Sequence, residues 1–290
     1  IRSFIENKMY ADTQPTKLYY ITPCFRYERP QAGRQRQFHQ FGIEVLGSDG
    51  PSVDAEVISL AVQFFNEMGL KNLSVNINSV GCPTCREEYN RKLKEYLDKK
   101  VDVLCETCLE RKDKNPMRVI DCKNPHCKEN LQDIPFMIDH LCDDCKEHFE
   151  KLQTYLKEMD INYVVDKTIV RGLDYYKKTA FEIISNDIGS QSTVCGGGRY
   201  DGLVEMLGGP KGISGIGFGL GVERLLLTLE NNNIEIENPK STDIYIATIG
   251  DAAKTKSFKL IKDLRSNHIS ADNDHLDKSL KAQFKYSDKL

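Results

Sequence analysis

The sequence predicts an α+β protein. Its sheet domain is interrupted by a helical, cysteine-rich module and followed by the start of a small α/β unit. Three stretches carry that expectation. Arg26 to Gly47 (RYERPQAGRQRQFHQFGIEVLG) reads as the loop and second arm of a hairpin. Gly212 to Leu229 (GISGIGFGLGVERLLLTL) reads as a glycine-alternating strand running into a helix. Between them, eight of the ten cysteines fall from Cys82 to Cys145, in Lys- and Glu-rich sequence.

The hairpin comes first. Leu18 to Tyr27 is β-prone and places Arg26 at its end, and Pro30 and Gly33 are turn formers. In the second arm, Phe41, Ile43 and Val45 alternate with Gln40, Gly42 and Glu44. Successive strand residues point to opposite faces. One face therefore packs on a core, and the other offers an amide, a carboxylate and a guanidinium to a pocket. Ser52 starts an amphipathic helix with Val53, Val57, Leu60, Ala61, Phe64 and Phe65 at helical spacing, and Gly69 ends it. Leu73 to Ile77 alternates as a strand.

Composition changes at Gly81. Tyr89 to Leu97 and Asp144 to Met159 read as helices of an inserted module, and β-prone sequence resumes at Tyr163. Two such runs flank Arg171-Gly172. Thr193 to Leu207 contains the glycine triplet of GGGRYD (Gly196 to Asp201), by itself only a turn signal. After a polar linker, DIYIATIG from Asp243 reads as a strand. A helix over 252–267 follows, with Phe258, Leu260, Ile261 and Leu264 as its stripe, and another helix starts over 276–284. The expected organisation is 1–79 and 162–238 as two parts of one sheet domain, 80–161 as the insertion and 242–290 as a partial α/β domain.

The chain has 290 residues, 40% hydrophobic and 29% charged, an ordinary globular balance. No apolar run approaches the roughly 20 residues of a membrane span. The net charge of −3 gives no global basic field, so nucleic-acid contact would rest on local patches. Starting at Ile1 inside a helix-like pattern and stopping at Leu290, the sequence reads as a fragment cut at both ends. Nothing in it indicates export, which favours reduced thiols in the cytoplasm.

Two constellations carry chemistry. Gly215, Gly217, Gly219 and Gly221 share one strand face, opposite Ile216, Phe218 and Leu220. Glycine inside a strand is costly and marks close approach; four in register predict a flat floor for a planar ring. Glu223 and Arg224 then open the helix, where an arginine pairs with phosphate or stacks on a base. The second is the cysteine set. Cys82/Cys85, Cys105/Cys108 and Cys142/Cys145 are CxxC pairs, and Cys122/Cys127 form a looser pair around His126. Such pairs suit tetrahedral zinc, two pairs per ion, so four pairs allow two sites. Free or buried thiols are the alternative, and the spacing leaves open which pairs join.

FRYERPQAGRQRQFHQFGIEVLG, from Phe25, resembles motif 2 of class II aminoacyl-tRNA synthetases in the form found in histidyl-tRNA synthetases. GISGIGFGLGVERLL resembles motif 3. Val170 to Tyr176 (VRGLDYY) and Gly196 to Asp201 resemble the two histidine-specific stretches of that family. The resemblance covers nearly the whole chain. It implies the class II fold, an antiparallel sheet flanked by helices, in a homodimer, with 242–290 beginning an anticodon-binding domain and a variable insertion that contacts tRNA. It implies histidine activation by ATP to an adenylate, with release of pyrophosphate, then transfer to histidine tRNA. Residue by residue, it places Arg26 and Arg171 on the α-phosphate and Glu28 at the adenine edge. Arg224 falls on adenine or the γ-phosphate, Gln40 on the carboxylate side, Glu44 on the α-amino group, and Tyr175 and Tyr176 around the imidazole. Magnesium would accompany ATP. Zinc is not a general feature of the family.

Motif 1 and the acidic-threonine loop of these enzymes are not in the sequence, nor is the second half of the anticodon domain. The runner-up reading is the histidine-binding regulatory subunit of ATP phosphoribosyltransferase, a synthetase paralogue. A third is a zinc-stabilised RNA-binding module without catalysis.

Overall fold

Strand pairing explains most of the architecture. The computed structural model describes residues 1–27, 29–30, 34–170, 175–185, 193–236 and 242–290. Helix α1 (Arg2–Glu6) precedes the hairpin of β1 (Thr16–Phe25) and β2 (Gln37–Leu46). Helix α2 (Pro51–Glu67) leads to β3 (Leu73–Ser79). Four helices follow: α3 (Pro83–Asp98), α4 (Glu106–Lys114), α5 (Pro125–Asn130) and α6 (Asp143–Glu158). The sheet resumes with β4 (Val164–Val165), β5 (Lys177–Ser185) and β6 (Thr193–Arg199), then α7 (Leu203–Met206), β7 (Gly215–Gly221) and α8 (Val222–Asn231).

These strands form one sheet in the order β1-β2-β7-β6-β5-β3-β4. Every neighbouring pair is antiparallel except β3–β4, which is parallel. The first β-prone run after the insertion is therefore only the two-residue β4, pinned to Asn76 and Ile77. The two elements of the sheet with the strongest sequence signals, β2 and β7, lie side by side.

One face of the sheet is apolar. Val45, Ile77, Phe181, Ile183, Ile216, Phe218 and Leu220 are buried there against α2, α6 and α8. The helix α2 is anchored by Val53, Val57, Ile58, Ala61 and Phe65, all nearly solvent-free. Leu60, expected in that stripe, is 41% exposed, and Ile58, not expected, is fully buried. Positions 54, 57, 58, 61 and 65 follow the three- and four-residue spacing of one helix face, and position 60 falls off it. Burying a side chain such as Ile58 contributes about 1.5–3 kcal/mol.

The helices α3 to α5 build a separate small core with the first turn of α6. Tyr89, Leu93, Leu97 and Met137 are buried in it together with Cys85, Cys108, Cys122, Cys127 and Cys145. The other end of α6 turns back, and its Phe149, Leu152 and Leu156 join the sheet core.

The chain divides into two compact units, Ile1–Ile234 and Glu235–Leu290. The second holds β8 (Ile244–Ile246), α9 (Asp251–Ser266), β9 (Ala271–Asn273) and α10 (Leu280–Ser287), with β8 parallel to β9. The strand expected from Asp243 is only three residues long, and the last helix starts at Leu280. On α9, Ser257 and Ile261 are buried, whereas Phe258 and Leu260 are 51% and 50% exposed. The buried face follows 257, 261 and 264, so only half of the expected stripe lies on it.

Candidate active site

The site grows out of strand register. Opposite residues of an antiparallel pair share a face. Here Glu44 faces Gly217, Gly42 faces Gly219 and Gln40 faces Gly221 across β2–β7. Across β6–β7, Gly198 faces Gly217 and Gly196 faces Gly219. A strip of glycines thus crosses three strands on the face away from the core. A β-carbon on Gly217 would collide with the Glu44 carboxylate and the Ile43 carbonyl. One on Gly219 would strike the Gln40 amide, and one on Gly215 the Tyr200 ring. At Gly221 an added carbon would meet Arg224 Cβ at 3.7 Å, an ordinary contact. The glycine row is thus less a bare floor than the space into which Gln40, Glu44 and Tyr200 lie.

A cavity of about 360 Å³ opens above this strip. Tyr20, Gln40, Glu44, Tyr175, Tyr176 and Tyr200 line it. Gln40 Nε2 donates to Tyr20 Oη at 2.7 Å, and the Tyr200 hydroxyl donates to Glu44 Oε2. Burial pushes the Glu44 carboxyl above the usual carboxylate range, and the Tyr200 hydrogen bond acts in the opposite direction. Burial, with Glu44 nearby, drives the Tyr200 phenol well above its ordinary value. Adjacent strand residues would point apart, but Tyr175 and Tyr176 precede β5. Their rings lie 5.0 Å apart between centroids, and both face the cavity.

A second cavity of about 160 Å³ adjoins the first, sharing Gly196, Gly219 and Gly221 with it. Arg26, Phe38, Thr193, Glu223 and Arg224 line it. The hairpin continues past β1, where Arg26 N–H donates to the Arg36 carbonyl at 2.8 Å. Arg26 Nε donates to the Gln35 carbonyl at 2.6 Å, and the guanidinium lies 4.3 Å from the Phe38 ring centroid. Arg224 Nη1 donates to the Thr193 carbonyl. Burial and the charges of Arg26 and Arg34 pull the Arg224 pKa below its ordinary value. Cations gathered this way favour an anion. Glu223 is occupied otherwise: it accepts from the His39 backbone N–H at 2.8 Å and pairs with His39 Nδ1 at 2.9 Å.

Gln40, Glu44, Tyr175 and Tyr176 are thus brought together in one cavity, and Arg26 and Arg224 in its neighbour. Arg171 and Glu28 lie outside the described residues. Sequence reasoning did not single out Tyr20 and Tyr200, whose hydroxyls engage Gln40 and Glu44. Tyr200 lies in GGGRYD, one of the histidine-specific stretches, but only the pairing of β1 with β2 could have revealed Tyr20. It also missed a buried cluster beneath the site. Arg199 and Asp54, both solvent-free, form an ion pair. Asp54 also receives the Thr179 hydroxyl and lies 2.8 Å from His148 Nε2. Burial opposes ionisation of Asp54, but His148 and Arg199 outweigh it and hold the carboxyl below its ordinary value. This cluster ties α2, β5, β6 and α6 to one another.

Eight of the ten cysteines gather into two groups of four, Cys82/Cys85/Cys142/Cys145 and Cys105/Cys108/Cys122/Cys127, with no disulfide among them. Within each group all sulfur atoms lie within 4.8 Å of one another.

The largely antiparallel sheet backed by helices, with a basic hairpin and a glycine strand running into an arginine-bearing helix, agrees with the class II aminoacyl-tRNA synthetase fold that the sequence motifs imply. Comparison with known proteins narrows this. The histidyl-tRNA synthetase family profile matches residues 4–225. The histidine–tRNA ligase of Clostridioides difficile is 80% identical over the whole chain, which covers 69% of that protein. The histidine–tRNA ligase of Caldanaerobacter subterraneus is 57% identical with the same coverage. The crystal structure of apo histidyl-tRNA synthetase from S. aureus superposes with a TM-score of 0.82 at 41% identity, over 99% of this chain and 70% of that one. A Bacillus halodurans protein described as an ATP phosphoribosyltransferase regulatory subunit/histidyl-tRNA synthetase has a TM-score of 0.61 at 20% identity, covering 99% of this chain and 75% of that one, a likeness of fold alone. The chain belongs to the histidyl-tRNA synthetase family.

Proposed function

We propose that this chain binds ATP and histidine in the two adjoining cavities and joins them as histidyl-adenylate, the first half of the histidine–tRNA ligase reaction. The observation that carries the proposal is their adjacency. A carboxylate–phenol pocket lined by Glu44 and Tyr200 opens onto a cationic pocket lined by Arg26 and Arg224. The 80% identity of the whole chain to the histidine–tRNA ligase of Clostridioides difficile favours this over the regulatory-subunit reading.

In this reading the histidine α-ammonium pairs with Glu44. A carboxyl whose ionisation burial opposes gains most from a cation brought into contact. Tyr175 and Tyr176 flank the imidazole, and Gln40 meets the carboxylate side. The histidine carboxylate attacks the α-phosphorus in line, a P–O bond forms, and pyrophosphate departs with the electron pair of the broken bond. Arg26 neutralises the α-phosphate as charge develops, and Arg224 holds the adenine or the γ-phosphate. Rigid donors in a desolvated site do this without reorganisation. By family resemblance Arg171 joins Arg26 and Glu28 reads the adenine edge. Magnesium favours phosphate oxygens, water and one or two carboxylates. The Glu182 carboxylate accepts at 2.9 Å from the hydroxyl of Thr193, a residue lining the cationic cavity, and would help hold the ion. When bound, the ion would offset phosphate charge.

Transfer to histidine tRNA completes the reaction, with the 80–161 lobe over the acceptor stem and 242–290 belonging to an anticodon-binding domain. The edge strand β1 leaves Tyr19 and Ile21 76% and 68% exposed, an apolar edge suited to a second copy in a homodimer. No described helix is long and apolar enough to cross a membrane. The cytoplasm, where tRNA is charged, is the compartment this reading implies.

The test is ATP–pyrophosphate exchange with each amino acid supplied singly. Exchange with histidine alone is expected. Histidine binding without exchange would point instead to the regulatory paralogue.

A further inference from the structure

We propose that the lobe between β3 and β4 holds two structural zinc ions, each in a closed four-thiolate site, and that the sites are nested. The inner pairs, Cys105/Cys108 and Cys122/Cys127, form a distal site. The outer pairs, Cys82/Cys85 and Cys142/Cys145, form a proximal site that joins the entrance and exit of the lobe.

Distance is the first argument. Zinc binds thiolate sulfur at about 2.3 Å in a tetrahedron, which sets neighbouring sulfurs about 3.8 Å apart. Cys82 Sγ lies 3.6 Å from Cys85 Sγ and 3.8 Å from Cys142 Sγ. In the other group, Cys105 Sγ lies 3.8 Å from Cys122 Sγ. These separations are far too long for a disulfide bond at about 2.05 Å. They are also too tight for thiolates arranged around a multi-iron cluster.

Helix ends also point at the ligands. Cys82, Cys105 and Cys142 each sit at the N-cap of a helix, α3, α4 and α6. Their partners Cys85, Cys108 and Cys145 fall three residues on, in the first turn, so both sulfurs of each pair meet the positive end of a helix. Backbone amides support them from outside: Cys142 N–H donates to Cys85 Sγ and Cys105 N–H to Cys127 Sγ, each at 3.1 Å. Such second contacts orient metal ligands. At Gly81, where φ is +64°, a β-carbon would come within 2.7 Å of Met137 Cε and 3.0 Å of Cys85 Cβ, so the approach to the proximal site is tight as well as buried.

Energetics supplies the reason for the metal. Helices α4 and α5 have nine and six residues, too short to be stable alone. Five of the eight cysteines occupy the lobe's own buried core, where larger apolar side chains would otherwise stand. Structural zinc contributes folding free energy to modules of this kind directly.

The test is metal analysis of the purified protein, with paired variants. The wild type should carry two zinc ions per chain, and cobalt exchange should give the intense thiolate-to-cobalt absorption of a four-sulfur site. Cys85→Ser/Cys145→Ser should lose one ion and keep the other, and Cys108→Ser/Cys127→Ser likewise. Cys85→Ser/Cys108→Ser should lose both. Were consecutive CxxC pairs joined instead, Cys85→Ser/Cys108→Ser would keep one ion and Cys85→Ser/Cys145→Ser none, which would overturn the nested arrangement. If the variants do not fold, the wild-type stoichiometry and cobalt spectrum still decide whether two four-sulfur sites exist, and cadmium-to-cysteine couplings in the cadmium-loaded wild type assign each cysteine to its ion. Fewer than two zinc ions, iron in their place, or eight thiols that react freely in the native protein would refute the proposal.

Discussion

The sheet site and the cysteine lobe solve the same problem, holding polar groups at fixed positions, by opposite means. In the sheet, position follows from backbone register. Glu44 and Gln40 lie over glycines because β2 and β7 pair as they do, and a core of Val45, Ile216, Phe218 and Leu220 fixes the pairing from behind. A slip of one residue would turn every side chain to the wrong face. In the lobe no sheet imposes register. The N-termini of α3 and α6 come together where one set of cysteines converges, and the N-terminus of α4 meets Cys122 and Cys127 in the other. The first design makes the site as rigid as the domain core. With the proposed zinc sites, the second would make the lobe's order depend on the bound metal.

The largest effect should come from the buried cluster under the sheet. Asp54→Ala leaves the Arg199 charge buried without its main partner, which costs about 3–5 kcal/mol. Urea unfolding measures it, and a loss below about 1 kcal/mol would mean the cluster does not hold α2 and α6 to the sheet. The pH dependence has a defined sign. The folded pKa of Asp54 is depressed, so its contribution is fully present above its ordinary value of 3.8 and is lost as pH falls through the lower folded value. Asp54→Ala should therefore remove part of the stability gained on raising pH through that window.

A smaller effect is expected at Tyr200→Phe. Removing the hydroxyl leaves the Glu44 carboxylate, already short of solvent, without its donor. A lost partner of this kind costs about 1–3 kcal/mol, or roughly 5- to 150-fold in histidine KM. Steady-state exchange kinetics would show this with kcat much less affected; an unchanged KM would take Tyr200 out of the pocket. The smallest should be Leu60→Ala, within about 0.5 kcal/mol of wild type because the side chain faces solvent. Ile58→Ala, two residues away, should cost about 2–5 kcal/mol. Equal losses at the two positions would contradict the placement of α2.

The same contrast explains what could be read from the sequence. Alternation is local, so the two faces of β2 and β7 were legible residue by residue, as were the CxxC pairs. Partnership between distant segments was not. Nothing near Tyr200 indicates that its hydroxyl reaches Glu44, and nothing near Cys85 chooses Cys142 and Cys145 over Cys105 and Cys108. Arg199 illustrates the limit: it stands in GGGRYD, whose glycine triplet is by itself only a turn signal, yet it is solvent-free against Asp54, and the Ser48 and Gly50 carbonyls and the Asp201 carboxylate accept its remaining protons. Leu60 and Phe258 show a lesser limit, since periodicity gives a stripe but its edges depend on what packs against it.

The measurement that bears most directly on the account is histidine binding to Glu44→Gln, by calorimetry, with the fold checked by circular dichroism and ATP binding measured in parallel. The amide fills the same space over Gly217 without the charge, so histidine affinity should fall at least about tenfold, the loss of one charge-assisted contact, while ATP binding holds. Histidine binding within twofold of wild type would contradict the placing of the α-ammonium on Glu44.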